Sequence, residues 1–339
     1  MRKRRRSRSA AAFLLACGMC FSVLFGLYAN ASALDREFLV PVGHTIGIKL
    51  FSDGVVVVGL AEIETAQGRI SPGVACGLRV GDVIEEANGT EVESSEQFSG
   101  ILQCGGTVEL AVSRGGEELM LSAHPAPGED GVYRLGAWIR DSMAGIGTVT
   151  YYDPQTGEFG ALGHGVTDSD TGLLMPLADG AVMGSTVKAV KKGSEGEPGQ
   201  LRGEFDLTKD KGTLSANTEQ GVFGKLDADA ISFGAAIPVA RAGEVREGAA
   251  VIRANVSGDA VEEYEIEILR VLDATGARNL LLRVTDQELI ALTGGIVQGM
   301  SGSPIIQNGK LIGAVTHVLV NDPTRGYGIL IENMLNAAG

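Results

Sequence analysis

Short runs of Val and Ile, separated by Gly, Asp and Asn, recur through most of this 339-residue chain. Such runs are typical of β-strands joined by turns, and the 49 glycines suit many turns. Apolar and charged residues alternate strictly over residues 264–268, which indicates a strand with one buried face and one solvated face. Strand and helix patterns do not alternate regularly, so a parallel α/β sheet is disfavoured. The sequence therefore predicts a mainly β protein, whose length fits about two domains.

The first 34 residues have the pattern of a targeting segment. Six basic residues within the first eight precede an uncharged, largely apolar run over residues 10–28. Residues 29–31 and 31–33 both have Ala at each end, as signal peptidase prefers. The apolar run is also long enough to span a bilayer, so an uncleaved anchor is the alternative. In either case basic residues stay on the cytoplasmic side, and we expect membrane contact at residues 1–34 and export of everything after Asp35.

The exported part is strongly acidic. When the six N-terminal basic residues are set aside from the 28 Lys and Arg, 22 remain against 42 Asp and Glu, a formal net charge of −20. This charge disfavours nucleic acid as a partner. Cys76 and Cys104 remain after the targeting segment, either as a disulfide, which export permits, or as two separate buried thiols. The exported part has no Cys-x-x-Cys or His-Glu-x-x-His pattern, so we predict no metal site and no cofactor.

Residues 38–126 have the signals of a small peptide-binding domain. Ile46, Gly47 and Ile48 lie at the start of a predicted edge strand, where a glycine lets backbone N–H groups turn toward a carboxylate. Later signals predict two short helices and a tight turn: Ser71-Pro72 with Gly77 as a stop, a Ser94–Gln97 capping box, and Asn88-Gly89. The stretch resembles a PDZ domain, most clearly over residues 77–84. The resemblance implies a small β-barrel with two short helices that binds peptide at Ile46, Gly47 and Ile48; the alternative is a small β domain without an open groove.

A glycine-rich loop near the C-terminus surrounds Ser301. Glycines and serines occupy six of the ten positions 294–303, which lead into a predicted strand. Such a loop allows successive amides to point at one place, as acyl transfer requires. We expect the backbone N–H groups of Gly299 and Ser301 to form that oxyanion hole. A serine nucleophile needs a nearby base, and the chain has four histidines, His44, His124, His164 and His317. His164 lies between two glycines that allow close backbone approach, and we rank it before His317.

The loop around Ser301 and the hairpin that follows resemble the corresponding region of chymotrypsin-like peptidases. By this resemblance Thr316, His317 and Val318 line the acyl side of the substrate cleft. A closer resemblance, to the stage IV sporulation protein B family, rests on residues 160–165, 293–306 and 313–323. It implies a Ser301, His164 and Asp286 triad. Asp286 also begins a good capping box, and the residues alone leave Asp153, Asp168 and Asp170 open as the acid.

The complete interpretation is a PDZ domain at residues 38–126 followed by a trypsin-like antiparallel β-barrel peptidase domain at residues 127–339. By resemblance, we expect a serine endopeptidase that cleaves protein or peptide substrates, including itself and a membrane-embedded regulatory protein of the sporulation pathway. The resemblance places it in the space between the two membranes around the forespore. The alternatives are a non-catalytic PDZ adaptor with a degenerate peptidase fold, and a broad PDZ-containing quality-control protease.

Overall fold

The computed structural model describes residues 37–227, 229–230, 234–272 and 276–339. The predicted signal peptide or anchor at residues 1–34 therefore lies outside the described residues. Across the described ranges, every helix is too short or too polar to cross a bilayer. Cys76 and Cys104 are free thiols, so the disulfide that the sequence left open is not formed.

Strands predominate throughout the described part of the chain. They are β1 (Phe38–Pro41), β2 (Thr45–Leu60), β3 (Ile63–Thr65), β4 (Gly68–Ile70), β5 (Val83–Ala87), β6 (Thr90–Glu91), β7 (Val108–Arg114), β8 (Glu117–Ala123), β9 (Ala126–Pro127), β10 (Tyr133–Arg134), β11 (Ala137–Tyr152), β12 (Glu158–Ala161), β13 (Asp179–Lys191), β14 (Gln200–Thr218), β15 (Gly221–Leu226), β16 (Ile237–Pro238), β17 (Gly248–Ser257), β18 (Ala260–Val271), β19 (Leu280–Val284), β20 (Pro304–Gln307), β21 (Lys310–Leu319) and β22 (Asp322–Leu330). The helices are short: α1 (Pro72–Ala75), α2 (Ser95–Leu102), α3 (Gln287–Thr293), α4 (Ile331–Ala338) and a 3-10 turn at Ala242–Glu244.

Six antiparallel strands close the first barrel. β2 pairs with β13, then β14, β15, β12 and β11 follow in order, and β11 pairs again with β2. Apolar side chains on the inner faces of these strands form its core, including Ile48, Leu50, Val149 and Val182. β1 pairs with the last residues of β11 and extends the sheet beyond the barrel.

A second closed barrel has the strand order β17, β18, β19, β22, β21 and β20. In β18, Tyr264, Ile266 and Ile268 are buried whereas Glu265 is exposed, so the predicted alternation is confirmed. Their side chains pack with those of the other five strands in one large apolar core. Two six-stranded antiparallel barrels are the architecture of trypsin-like peptidases, and the predicted mainly β fold class is confirmed.

A third unit, which we call the insert, occupies residues 61–136 between β2 and β11. It contains β3 to β10 and both α1 and α2, and has a core of its own around Ile84, Phe98 and Leu110. Of the predicted helix caps, the Ser94 hydroxyl accepts the N–H of Gln97 at the start of α2. Ser71 precedes α1, but its hydroxyl donates to Ala61 O and makes no capping hydrogen bond. The turn at Asn88-Gly89 has positive φ angles at both residues, as this dipeptide favours.

The insert is joined to the first barrel by a ribbon rather than by a linker. β2 and β11 are each 16 residues long, and they pair along almost their whole length, from Leu60 opposite Ala137 to Thr45 opposite Thr148. One end of this ribbon belongs to the barrel and the other end to the insert. The predicted PDZ domain at residues 38–126 differs from this arrangement, because the first half of β2 is a barrel strand and β1 extends the sheet of the same barrel.

The placement of Ile46, Gly47 and Ile48 corrects their interpretation as a peptide-binding loop. All three lie in β2 and pair with β11 on one edge and with β13 on the other. Their N–H groups therefore face neighbouring strands, and both isoleucines are buried in the barrel core. A Cβ at Gly47 would lie 2.6 Å from the Phe205 ring, so close packing against this ring explains the glycine.

Candidate active site

The loop that carries Ser301 is fixed to both barrels. It follows α3, which ends at Gly294 in the left-handed conformation. The N–H of Gln298 donates to Gly199 O at 2.9 Å, and the N–H of Gly302 donates to Val315 O at 2.8 Å. Gly302 has φ +98°, and a Cβ there would lie 2.0 Å from the carbonyl oxygen of Thr148. Only glycine fits this position, which brings the loop against the first barrel.

Thr148 of β11 holds the carbonyl groups on both sides of the loop apex. Its hydroxyl donates to Gly299 O at 2.7 Å, and its N–H donates to Ser301 O at 3.0 Å. With both carbonyls turned toward Thr148, the N–H groups of Gly299 and Ser301 have no acceptor within the described part of the chain. Two unpaired amides flanking a serine are the donors that an oxyanion requires. That these two amides converge on one oxyanion stays a prediction from the glycine pattern.

Ser301 and His164 line one cavity of about 400 Å³ between the two barrels, which we call the active-site cavity. The Ser301 hydroxyl donates to Thr316 O at 2.7 Å. Among the described residues it makes no hydrogen bond to His164. The Ser301 hydroxyl therefore has to leave Thr316 O before it can face the imidazole.

His164 is held in one tautomer by its neighbour. Its Nδ1–H donates to the carbonyl oxygen of Gly165 at 2.9 Å, which leaves Nε2 as a proton acceptor. Burial lowers the pKa of His164 below its usual value, although the bond to Gly165 opposes this effect. The imidazole is therefore neutral at pH 7, as a general base must be. A Cβ at Gly165 would lie 2.2 Å from Leu174, so this glycine is required by packing.

The strand β21 supplies a second histidine to the same cavity. The rings of His164 and His317 have centroids 5.0 Å apart and an interplanar angle of 38°. Burial lowers the pKa of His317 to about 4, and repulsion from Arg278 and from a protonated His164 ring acts in the same direction. Its Nδ1 is buried and has no hydrogen-bond partner among the described residues. Thr316 and Val318 line the cavity beside it, where the resemblance places substrate.

Asp286 lies elsewhere. Its carboxylate caps α3, accepting the N–H of Leu289 at 2.9 Å and the N–H of Glu265 at 3.3 Å. It is not among the residues that line the active-site cavity, and Nδ1 of His164 faces Gly165 instead. The structure therefore does not bring Asp286 to His164, and corrects its interpretation as the residue that orients the base. The capping box explains the sequence signal around Asp286.

The other aspartates considered from the sequence also have different roles. Arg140 forms ion pairs with Asp168 and Asp170, at 3.6 and 3.2 Å. Asp153 accepts the N–H of Gln155 in the turn after β11. No Asp or Glu lines the active-site cavity in the described ranges. The Gly165 carbonyl is thus the group that orients His164 in this structure.

Sequence reasoning missed two contributions to the site. Thr148 lies 151 positions before the Gly299 carbonyl that it binds, and nothing in its own neighbourhood indicates that contact. Residues 143–146 of β11 form a wall of the active-site cavity. Their sequence contains no charged or nucleophilic side chain that could have drawn attention to them.

Comparison with protein-family models gives a match over residues 131–335 to the SpoIVB peptidase S55 family. A search of curated proteins finds no match. The family match covers more than half of the chain and includes His164, Ser301 and the whole second barrel, whereas β1 and β2 precede it. The chain therefore belongs to the SpoIVB peptidase S55 family and is a serine peptidase.

Proposed function

We propose that this chain is an exported serine endopeptidase that cleaves itself and a membrane-associated regulatory protein during spore formation. The observation that carries the proposal is the active-site cavity, which is lined by Ser301, by a neutral His164 and by Gly299, whose N–H is unpaired like that of Ser301 among the described residues. The family match supports a sporulation peptidase. The basic and apolar N-terminal segment supports export, and the space between the two membranes around the forespore is the proposed location.

The proposed mechanism starts with rotation of the Ser301 hydroxyl from Thr316 O toward Nε2 of His164. Ser301 attacks the scissile carbonyl while His164 takes its proton. The N–H groups of Gly299 and Ser301 stabilise the oxyanion, and His164 then protonates the leaving amine. Water hydrolyses the acyl-enzyme by the same steps in reverse. The Gly165 carbonyl keeps the proton on Nδ1 of His164 throughout.

We also propose that the insert is a PDZ domain that controls recognition of substrate or of the chain itself. Since Ile46, Gly47 and Ile48 are paired in the barrel, its peptide site must lie elsewhere. A groove of about 400 Å³ lies between α2 and residues 132–139, with Phe98 and Leu102 on one side and Trp138 on the other. Trp138 is 63% exposed, which suits a residue that becomes covered by a ligand.

The test is self-processing of the full-length chain after Ser301→Ala. We expect its self-cleavage, followed by gel electrophoresis and N-terminal sequencing, to stop. Ser303→Ala is the matched control, because the Ser303 hydroxyl is buried, has no hydrogen-bond partner among the described residues and does not line the cavity. Self-cleavage of Ser301→Ala at the rate of the unaltered chain would show that Ser301 is not the nucleophile.

A fluorophosphonate reagent provides a second measurement that is independent of substrate sequence. It should label Ser301 in the unaltered chain and fail to label Ser301→Ala. Absence of labelling in both would favour a non-catalytic adaptor. Digestion of unfolded casein distinguishes a broad quality-control protease, which should degrade it extensively, from a selective signalling peptidase.

A further inference from the structure

The outer edge of β11 is unpaired over a long stretch. Residues 137–148 pair with β2 on one edge, and the described residues provide no strand on the other edge before β12 joins at Val149. Neither β2 nor β11 is interrupted along this stretch, apart from two irregularities in register near Trp138 and Arg140. An unpaired strand edge offers a row of N–H and C=O groups to an extended chain.

The direction of the backbone groups on this edge can be followed outward from Thr148. Its N–H donates to Ser301 O and its carbonyl accepts the N–H of Leu162, so both groups point away from β2. In an antiparallel strand the groups of alternate residues point the same way. Ile146, Ala144 and Ser142 therefore present their N–H and C=O groups on the open edge, in a row that ends beside the nucleophile.

The open edge passes two cavities. Its C-terminal part, residues 143–146, is a wall of the active-site cavity opposite Thr316 and Val318. Its N-terminal part, residues 137–139, is a wall of the groove beneath α2. The α2 helix is tied to the strand between these two parts, since the N–H of Ser95 donates to the Asp141 carboxylate at 2.8 Å. Because side chains stand perpendicular to a sheet, this contact leaves the hydrogen-bonding edge itself open.

We infer that the leaving-group half of the polypeptide substrate binds as an added antiparallel strand on β11, from Ile146 to Ala137, so that its far end enters the groove of the insert. The inference rests on the proposed function, in which the acyl half lies along Thr316 to Val318. The other half must then pass the opposite wall of the cavity, which is β11. A chain that runs from Ser301 toward Ala137 is antiparallel to β11.

The occupant is an extended polypeptide because only a backbone has donors and acceptors at the spacing of the edge. The edge is continuous with the cavity of an enzyme whose substrates are proteins. From Ile146 to Ala137 the strand spans about 30 Å at a rise of roughly 3.3 Å per residue. The insert and the active site therefore act on one substrate chain at a fixed separation, and engagement of both requires about ten residues after the scissile bond.

The test uses the full-length chain and synthetic peptides copied from the bond at which the chain cleaves itself. The leaving-group side is lengthened from about four to about eight and about twelve residues, while the acyl side is kept constant. We expect kcat/KM to rise by about tenfold or more between the shortest and the longest peptide, mainly through KM. A second series, lengthened only on the acyl side, should show no comparable step.

Ala144→Pro tests the edge directly. Proline removes the outward N–H of Ala144 and leaves the hydrogen bonds to β2, because the N–H groups that bond β2 belong to the alternate residues. We expect the rise in kcat/KM with leaving-side length to disappear in Ala144→Pro. The same rise should persist in Ala144→Ser, which keeps the N–H. Thermal unfolding of both variants shows whether the fold is retained. If proline prevents folding, the two peptide series in the unaltered chain still show whether the leaving-group side binds along β11.

The outcomes separate the inference from the proposed function. Cleavage that is independent of leaving-side length, or a length effect that survives in folded Ala144→Pro, would overturn the added strand and leave the peptidase mechanism intact. Failure of the unaltered chain both to cleave any peptide and to react with fluorophosphonate would refute the proposed function, and the inference with it.

Discussion

The rings of His164 and His317 lie 5.0 Å apart inside the active-site cavity, although 153 positions separate the two residues in the sequence. A proton on either ring would repel a proton on the other, and burial disfavours both charges. The two histidines therefore stay neutral together at pH 7. His164 therefore remains available as a base without a carboxylate partner, since the Gly165 carbonyl already fixes its tautomer.

The pH dependence of peptidase activity follows from this arrangement. His164 must be neutral to act as a base, and its pKa is lowered below the usual 6.5, so activity is lost only when the pH falls below that value. We expect the acid limb of the kcat/KM profile to have an apparent pKa under 6.5, measured on a peptide without titratable side chains. An acid limb above 6.5 would contradict a buried, neutral base.

Thr148→Val should reduce both stability and activity. The variant keeps the shape of the side chain but removes the donor to Gly299 O, leaving a buried carbonyl unpaired at a cost of about 1–3 kcal/mol in the free energy of unfolding. With Gly299 no longer held, we expect kcat to fall by about ten- to a hundredfold. Denaturant unfolding and peptidase kinetics check these values.

Thr150→Val is the matched control for Thr148→Val. Thr150 lies on the same strand, is fully buried, and its hydroxyl has no hydrogen-bond partner in the described part of the chain. Removing that hydroxyl should leave the free energy of unfolding unchanged or slightly higher. Equal losses of unfolding free energy and of kcat in the two variants would mean that the hydrogen bond to Gly299 contributes nothing specific.

Gly302→Ala should be far more damaging than Gly309→Ala. Both glycines have positive φ, and a Cβ at that φ costs about 1–2 kcal/mol. At Gly309 nothing lies within 4 Å of the added atom, whereas at Gly302 it would lie 2.0 Å from Thr148 O. We therefore expect Gly302→Ala to lose about 3 kcal/mol or more and to be inactive. Thermal unfolding and fluorophosphonate labelling measure the two effects, and similar losses would show that the loop can move away from β11.

Asp286 variants distinguish a capping role from a catalytic one. Asp286→Ser keeps an acceptor for the N–H of Leu289, whereas Asp286→Ala removes it and should cost about 1 kcal/mol of stability. We expect both variants to keep kcat within about tenfold, because the carboxylate does not reach His164. Loss of kcat by about ten-thousandfold in the folded Ser variant, as for a triad carboxylate, would contradict this placement.

The glycine-rich loops made Ser301 and His164 predictable. Each residue lies where packed glycines bring the backbone close to a neighbour. These glycines are adjacent in sequence to Ser301 and His164, so the sequence alone shows them. Asp286 was misinterpreted because a capping residue and a catalytic acid look alike in one chain, and only the partner at Leu289 decides between them. Thr148 could not be found, since its acceptor is far away in sequence.

The predicted β class and the alternation in β18 followed from local patterns, but the division into units did not. A glycine between two isoleucines fits a peptide-binding loop and equally fits a strand that faces a large ring. Contact with Phe205, which lies in β14, selects the second interpretation at Gly47. The pairing of β2 with β11 and β13 likewise depends on residues far apart in sequence, so local patterns could not predict it.

The ribbon of β2 and β11 also determines which fragments of this protein can fold on their own. A peptidase piece that begins at residue 127 would not be a complete enzyme, because it would lack β2, one of the six strands of its first barrel, and the adjoining strand β1. Excision would instead have to rejoin the two long strands through a new hairpin within the ribbon. The insert therefore cannot be removed without altering the peptidase's own sheet, because β11 runs from the insert to Thr148, which holds the loop around Ser301.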